Sequence, residues 1–321
     1  MLFRSKKMIG WDEVLEPGLS RDAVIQSWRG KEGLKEAASK GYQVILSNGY
    51  YIDLCQPAWK HYTNDPVPDQ IGLTEEQKKN ILGGEATMWS ELVTPETIDS
   101  RIWPRTAAIA ERLWSPREVN NIPDMYERLE NISIRLESVG LQHLRNRDMM
   151  LRRIVGENDI KPLIKIIELV EPLKDYARHN QGIPYSTALP LTRMPDIAVP
   201  DADKARSFRI LCEAVVRKND NAAKIELKKL LKGYIKNEEK VEACAKDNPA
   251  LESWKEMAEQ ITAVSKAGLE CLDFIERRQV VTDEWTKNTS VVIENARKPI
   301  DECELMIVEG VNMLFNHALP K

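Results

Sequence analysis

The sequence predicts an α/β fold: four βα units, half the number in a (β/α)₈ TIM barrel, followed by an all-α helical domain. Three observations carry this. Up to about residue 115, short apolar runs alternate with helical stretches, as in βα repetition. Aromatic and acidic residues gather just after each apolar run, and in a (β/α)₈ barrel the C-terminal rim of the strands is where sites are built. From about residue 122 the periodicity becomes helical, with no strand expected. The expected division is therefore residues 1–120 and 121–321.

The strand candidates are residues 7–11, 23–28, 43–47 and 81–89, each short and rich in Val, Ile or Leu, as strands covered on both faces tend to be. Residues 34–40 read as a helix closed by Gly41, which tolerates the left-handed conformation of a C-terminal cap. After the fourth run, Thr94-Pro95-Glu96 supplies a cap, a proline and an acid suited to a helix start. A helix over 98–114 is expected to be bent or interrupted at Pro104, which lacks an N–H donor.

Further helices are expected over 122–139 and 160–176. After a proline-rich break at 182–200 come amphipathic stretches near 204–218, 221–245, 249–278 and 282–316. The charged run at Lys229 and 232–240 reads as a solvated helix face. Four βα units leave two strand edges without partners, so the chain is expected to be part of something larger.

Bulk composition narrows the function. The 321 residues carry 46 basic and 50 acidic side chains, interspersed, for a formal charge of -4, which suits neither a nucleic acid nor an anionic membrane. No run approaches the ~20 apolar residues that span a bilayer, and the first seven residues lack the apolar core of a signal peptide. The five cysteines show no C-x-x-C spacing and read as mostly buried free thiols. His61, His143, His179 and His317 are scattered, so no metal and no cofactor is expected.

Five rim segments carry a specific resemblance. They are Ile9-Gly10-Trp11-Asp12-Glu13-Val14, Val24-Ile25-Gln26-Ser27-Trp28-Arg29, Leu46-Ser47-Asn48-Gly49-Tyr50-Tyr51-Ile52-Asp53, Gly83-Gly84-Glu85-Ala86-Thr87-Met88-Trp89-Ser90-Glu91, and the segment 103–115 beginning Trp103-Pro104-Arg105. In order and spacing, residues 8–116 resemble the second half of the family 20 glycoside hydrolases, the β-N-acetylhexosaminidases.

The resemblance implies removal of terminal N-acetylglucosamine or N-acetylgalactosamine by a substrate-assisted retaining mechanism, an exception to the two-carboxylate scheme. The 2-acetamido oxygen attacks the anomeric carbon, and water then opens the oxazolinium intermediate. Trp11, Trp28 and Trp89 would enclose the acetamido group, and Tyr51 would donate to its oxygen. Asp53 and Glu91 would accept hydrogen bonds from sugar hydroxyls. The choice of Tyr51 over Tyr50, a packed aromatic on the bland reading, rests on the family motif.

The family's general acid lies in a His-x-Gly-Gly-Asp-Glu segment, which these residues lack. Asp12-Glu13 directly follows a pocket tryptophan and is not taken as its substitute. In Gly83-Gly84-Glu85, Ala86 occupies the place of a second acid. The expected partners are thus an N-acetylhexosamine-terminated glycan and the missing N-terminal half of the barrel, with this chain inactive alone. The parent is expected to be periplasmic or secreted. The alternative reading is a noncatalytic carbohydrate-binding or protein-interaction remnant.

Overall fold

The computed structural model describes residues 6–68, 70–180 and 186–320. Residues 182–185 of the proline-rich break lie outside the described residues. The chain divides into two compact units, one made of Met1–Glu91 with Asp99–Leu141, the other of Leu92–Ile98 with Gln142–Lys321.

The first unit is built on a parallel sheet of β1 (Ile9–Trp11), β2 (Val24–Ser27), β3 (Gln43–Leu46) and β4 (Ile81–Gly84), in that spatial order. The four expected strands are present but shorter. The inner strands β2 and β3 bury Ile25, Val44 and Leu46 completely against Leu34, Ala37 and Ala38 of the helix Lys31–Ser39. The outer strands are half open: Ile9 on β1 is 59% exposed and Leu82 on β4 is 52% exposed, although both are apolar.

Gly84 ends β4 for a steric reason. A Cβ there would stand 2.6 Å from the Tyr50 ring and 3.0 Å from the Leu46 carbonyl oxygen, closer than side-chain carbons are found. The missing side chain lets the fully buried Tyr50 ring lie under the strand tip.

The helix expected over 98–114 is split at Pro104 into Ile98–Ile102 and Arg105–Trp114. The Thr94 carbonyl accepts from the backbone N–H groups of Thr97 and Ile98, so a turn precedes the helix. The first compact unit extends past residue 120 to Leu141. The cause is the helix Ile122–Ser138, whose Met125, Tyr126 and Leu129 are buried with Ala58, Tyr62 and Ala108 of the first unit.

The second unit is helical but not all-α, which corrects the expectation. Two short strands, β5 (Val170–Pro172) and β6 (Cys303–Leu305), pair antiparallel. They interrupt the helices expected over 160–176 and 282–316. Asp301 and Glu302 both take positive φ, and the buried Glu302 carboxylate accepts from Arg178 at 2.8 Å and Arg193 at 3.0 Å, so this segment turns instead of continuing a helix. The stretch 221–245 breaks into Asn221–Ile235 and Glu238–Ala245 because Asn237 is buried and donates to the Pro162 carbonyl at 2.8 Å.

The core of this unit runs along the helix Glu252–Arg277, where Trp254, Met257, Ala258, Ile261, Val264 and Gly268 recur at helical spacing on the buried face. All five cysteines are free thiols, four of them buried. No helix among the described residues is long and apolar enough to cross a membrane.

Candidate active site

A parallel sheet puts the C-terminal ends of all its strands on one edge, and the sequence places its aromatic and acidic residues there. Trp11 ends β1, Trp28 follows β2, Tyr51 and Asp53 follow β3, and Trp89 and Glu91 follow β4. The segments after β3 and β4 stay stitched together. Thr87 N–H donates to the Tyr50 carbonyl at 3.0 Å, Ile52 N–H donates to the Thr87 carbonyl at 2.8 Å, and Tyr51 and Thr87 form a parallel bridge.

β1 and β4 are separated by two strands, so their axes would lie ~14 Å apart in a flat sheet. Nevertheless the Trp11 and Trp89 ring centroids are 6.1 Å apart with an interplanar angle of 76°, an edge-to-face pair. The segment beyond β4 therefore carries Trp89 back over the strand tips. Trp11, Trp28 and Trp89 are 52%, 36% and 41% exposed, which excludes ordinary core packing for all three. Trp28 is held differently: its indole N–H donates to the Glu13 carboxylate, 3.2 Å from each oxygen.

Asp53 follows β3, and its carboxyl feels the backbone N–H groups of residue 53 itself and of Trp89 and the Glu91 charge. Burial pushes the Asp53 carboxyl up to about 6; the two N–H donors and Arg105 pull it down, and Glu91 pushes it further up. Glu91 itself is exposed.

The folded state favours protonated Asp53, so its charge costs stability above pH about 6, and no cost remains below the ordinary value of 3.8. Asp53→Asn is expected to raise Tm at pH 7 by ~3 °C, from a gain of ~1 kcal/mol after solvent screening, and to leave it unchanged at pH 3. Thermal unfolding at the two pH values measures this, and an equal shift at both would separate the gain from the charge.

Tyr50 is core: its hydroxyl donates to the Asn64 carbonyl, and burial raises its pKa. The acids set aside as catalytic candidates have other partners. Asp12 is buried and accepts the Arg29 backbone N–H at 3.1 Å, with Arg29 Nε at 3.5 Å. Glu85 accepts from the Gln26 side-chain amide, and burial raises its carboxyl pKa.

Arg105 also matters for the site. Its fully buried guanidinium donates to the carbonyls of Gln56 at 2.8 Å, Ile52 at 2.9 Å and Arg101, clamping both sides of Asp53.

Solvent-open indoles thus stand beside carboxylates on the C-terminal rim of a parallel sheet, an arrangement whose chemistry suits stacking and hydrogen bonding. Residues 2–117 match the sequence model of Glycosyl hydrolase family 20, catalytic domain. The chain is 34% identical over 156 residues to a beta-hexosaminidase of Porphyromonas gingivalis, covering 43% of this chain and 20% of that protein. With the human beta-hexosaminidase subunit beta it shares 34% identity over 145 residues, covering 43% of this chain and 26% of the relative. The fold is similar to the X-ray structure of Flavobacterium johnsoniae chitobiase at a TM-score of 0.90 and 35% identity, covering 97% of this chain and 48% of that one. The chain thus spans less than half the length of each.

Proposed function

We propose that residues 1–120 are the C-terminal half of a (β/α)₈ catalytic barrel and form the acetamido side of an exo-β-N-acetylhexosaminidase site. The observation that carries this reading is the edge-to-face Trp11–Trp89 pair at the strand tips, with the Trp28 indole held by Glu13, two residues beyond Trp11. The exposed apolar residues on the two outer strands, Ile9 and Leu82, support further strands beside them.

In this reading the indoles desolvate the N-acetyl methyl and restrict its rotation, which lowers the entropy cost of intramolecular attack. Tyr51 donates to the acetamido oxygen and holds it in line with the anomeric carbon. The oxygen displaces the aglycone, giving the oxazolinium intermediate, and water opens it with net retention of configuration. Asp53 and Glu91, as carboxylates, accept hydrogen bonds from sugar hydroxyls.

The leaving oxygen needs a proton, and no residue here is assigned that role. General acid assistance is commonly worth ~10²–10⁴-fold, so this chain is expected to hydrolyse an aryl N-acetylglucosaminide at least ~100-fold more slowly than a polypeptide that adds the family's Asp-Glu segment. Equal rates would remove the division of labour proposed. Binding is tested by saturation-transfer NMR on this chain: the N-acetyl methyl of N-acetylglucosamine is expected to receive the largest transfer, and glucose far less. Equal transfer to glucose would remove the acetamido assignment. We also propose an exported parent, periplasmic or secreted; cell fractionation tests this, and recovery of the parent in the cytoplasmic fraction would overturn it.

A further inference from the structure

Glu13 lies in the 3-10 turn Asp12–Val14, two residues beyond Trp11. Both of its carboxylate oxygens stand 3.2 Å from Trp28 Nε1, and the indole N–H donates to them. Arg29 Nε is 3.9 Å from the same carboxylate and 3.5 Å from the buried Asp12, whose other contact is the Arg29 backbone N–H. On the opposite side, the Asn48 side-chain amide donates to the Trp28 carbonyl at 3.0 Å. The backbone at residue 28 is therefore fixed from β3, and the ring from β1.

We propose that Glu13 is a positioning residue that holds the Trp28 indole in place and so sets the size of the N-acyl group the pocket admits. This rests on the reading that Trp11, Trp28 and Trp89 surround the 2-acetamido substituent. A ring 36% open to solvent has few packing contacts on its free side, so a directional bond at Nε1 determines where the wall stands. A fixed apolar wall discriminates one methylene by ~10–200-fold, whereas a wall that swings yields to the larger group. Two adjacent strand tips thereby act together: the segment that provides Trp11 also anchors the next wall.

The experiment uses this chain with its indole nitrogens labelled with ¹⁵N. Binding of N-acetyl-, N-propionyl- and N-butyrylglucosamine is followed from the tryptophan indole resonances. The unaltered chain is expected to bind the N-butyryl sugar at least ~10-fold more weakly than the N-acetyl sugar. In Glu13→Ala that ratio is expected to shrink to within ~3-fold, and the Trp28 indole proton to move upfield as it loses its acceptor. Glu13→Gln keeps an acceptor oxygen and is expected to restore both the ratio and the proton position.

An unchanged ratio in Glu13→Ala, with Trp89→Ala abolishing binding, would overturn the role of Glu13 while leaving the acetamido pocket standing. If acyl length makes no difference in the unaltered chain and Trp89→Ala binds normally, the pocket reading itself falls and takes this proposal with it.

Discussion

Trp89→Ala is expected to weaken binding of a thiazoline analogue of the cyclised intermediate by ~100-fold, measured on a polypeptide that also carries the family's Asp-Glu segment. The magnitude comes from two losses. Removing the indole that the N-acetyl methyl would cover forfeits ~1.5–3 kcal/mol of apolar burial, and losing the edge-to-face contact that holds Trp11 in place forfeits ~0.5–1.5 kcal/mol more. Together they correspond to ~30–2000-fold.

This substitution isolates the ring. Alanine leaves the backbone at residue 89 in place, so the segments after β3 and β4 keep their hydrogen bonds through Thr87. Trp11, already 52% exposed, loses its aromatic neighbour. Trp89→Phe restores a smaller face and is expected to recover part of the affinity. Isothermal titration reads the result directly; unchanged affinity in Trp89→Ala would mean that the ring is no wall of the pocket.

The strands of the first unit were legible because their signal is local. Val24–Ser27 and Gln43–Leu46 are apolar runs covered by the helix Lys31–Ser39, and the rim residues follow from where those runs stop. Pro104 was legible for the same reason, since a missing N–H acts on its own helix whatever lies around it. The ribbon of β5 and β6 was not. Each strand has three residues, one of them Pro172, and β5 is buried at all three positions, so no alternation is present to read. Its partner lies more than a hundred residues away in sequence. Asn237 likewise interrupts a helical pattern through a carbonyl at Pro162, and no window around 237 contains that carbonyl.

The site divides along the same line. Which residue types reach the rim was visible in the sequence, and the resemblance supplied their roles. The Trp11–Trp89 approach and the Glu13–Trp28 bond depend on how segments fold back over the strand tips. The upward shift of Asp53 depends on burial together with two N–H donors, neither of which a residue identity reveals.

Arg105→Ala is expected to cost the first unit ~3–5 kcal/mol, because three carbonyls lose a charged donor in a place that water does not reach. That is a large share of the ~5–15 kcal/mol that holds a typical domain folded. Lysine does not replace arginine here. One ammonium on a flexible stem lacks the planar fork that reaches Ile52, Gln56 and Arg101 at once, so Arg105→Lys is expected to recover less than half of the loss. Urea unfolding followed by tryptophan fluorescence measures both, and a midpoint unchanged in Arg105→Ala would show that the clamp carries no stability. The effect on binding separates clamp from core. The carbonyls that Arg105 holds at Ile52 and Gln56 flank Asp53, and Tyr51 directly precedes them. Where the variant is still folded, sugar affinity is therefore expected to fall while the parallel sheet remains intact. A variant that loses stability but binds normally would locate the support of Tyr51 and Asp53 in the hydrogen bonds to Thr87 instead.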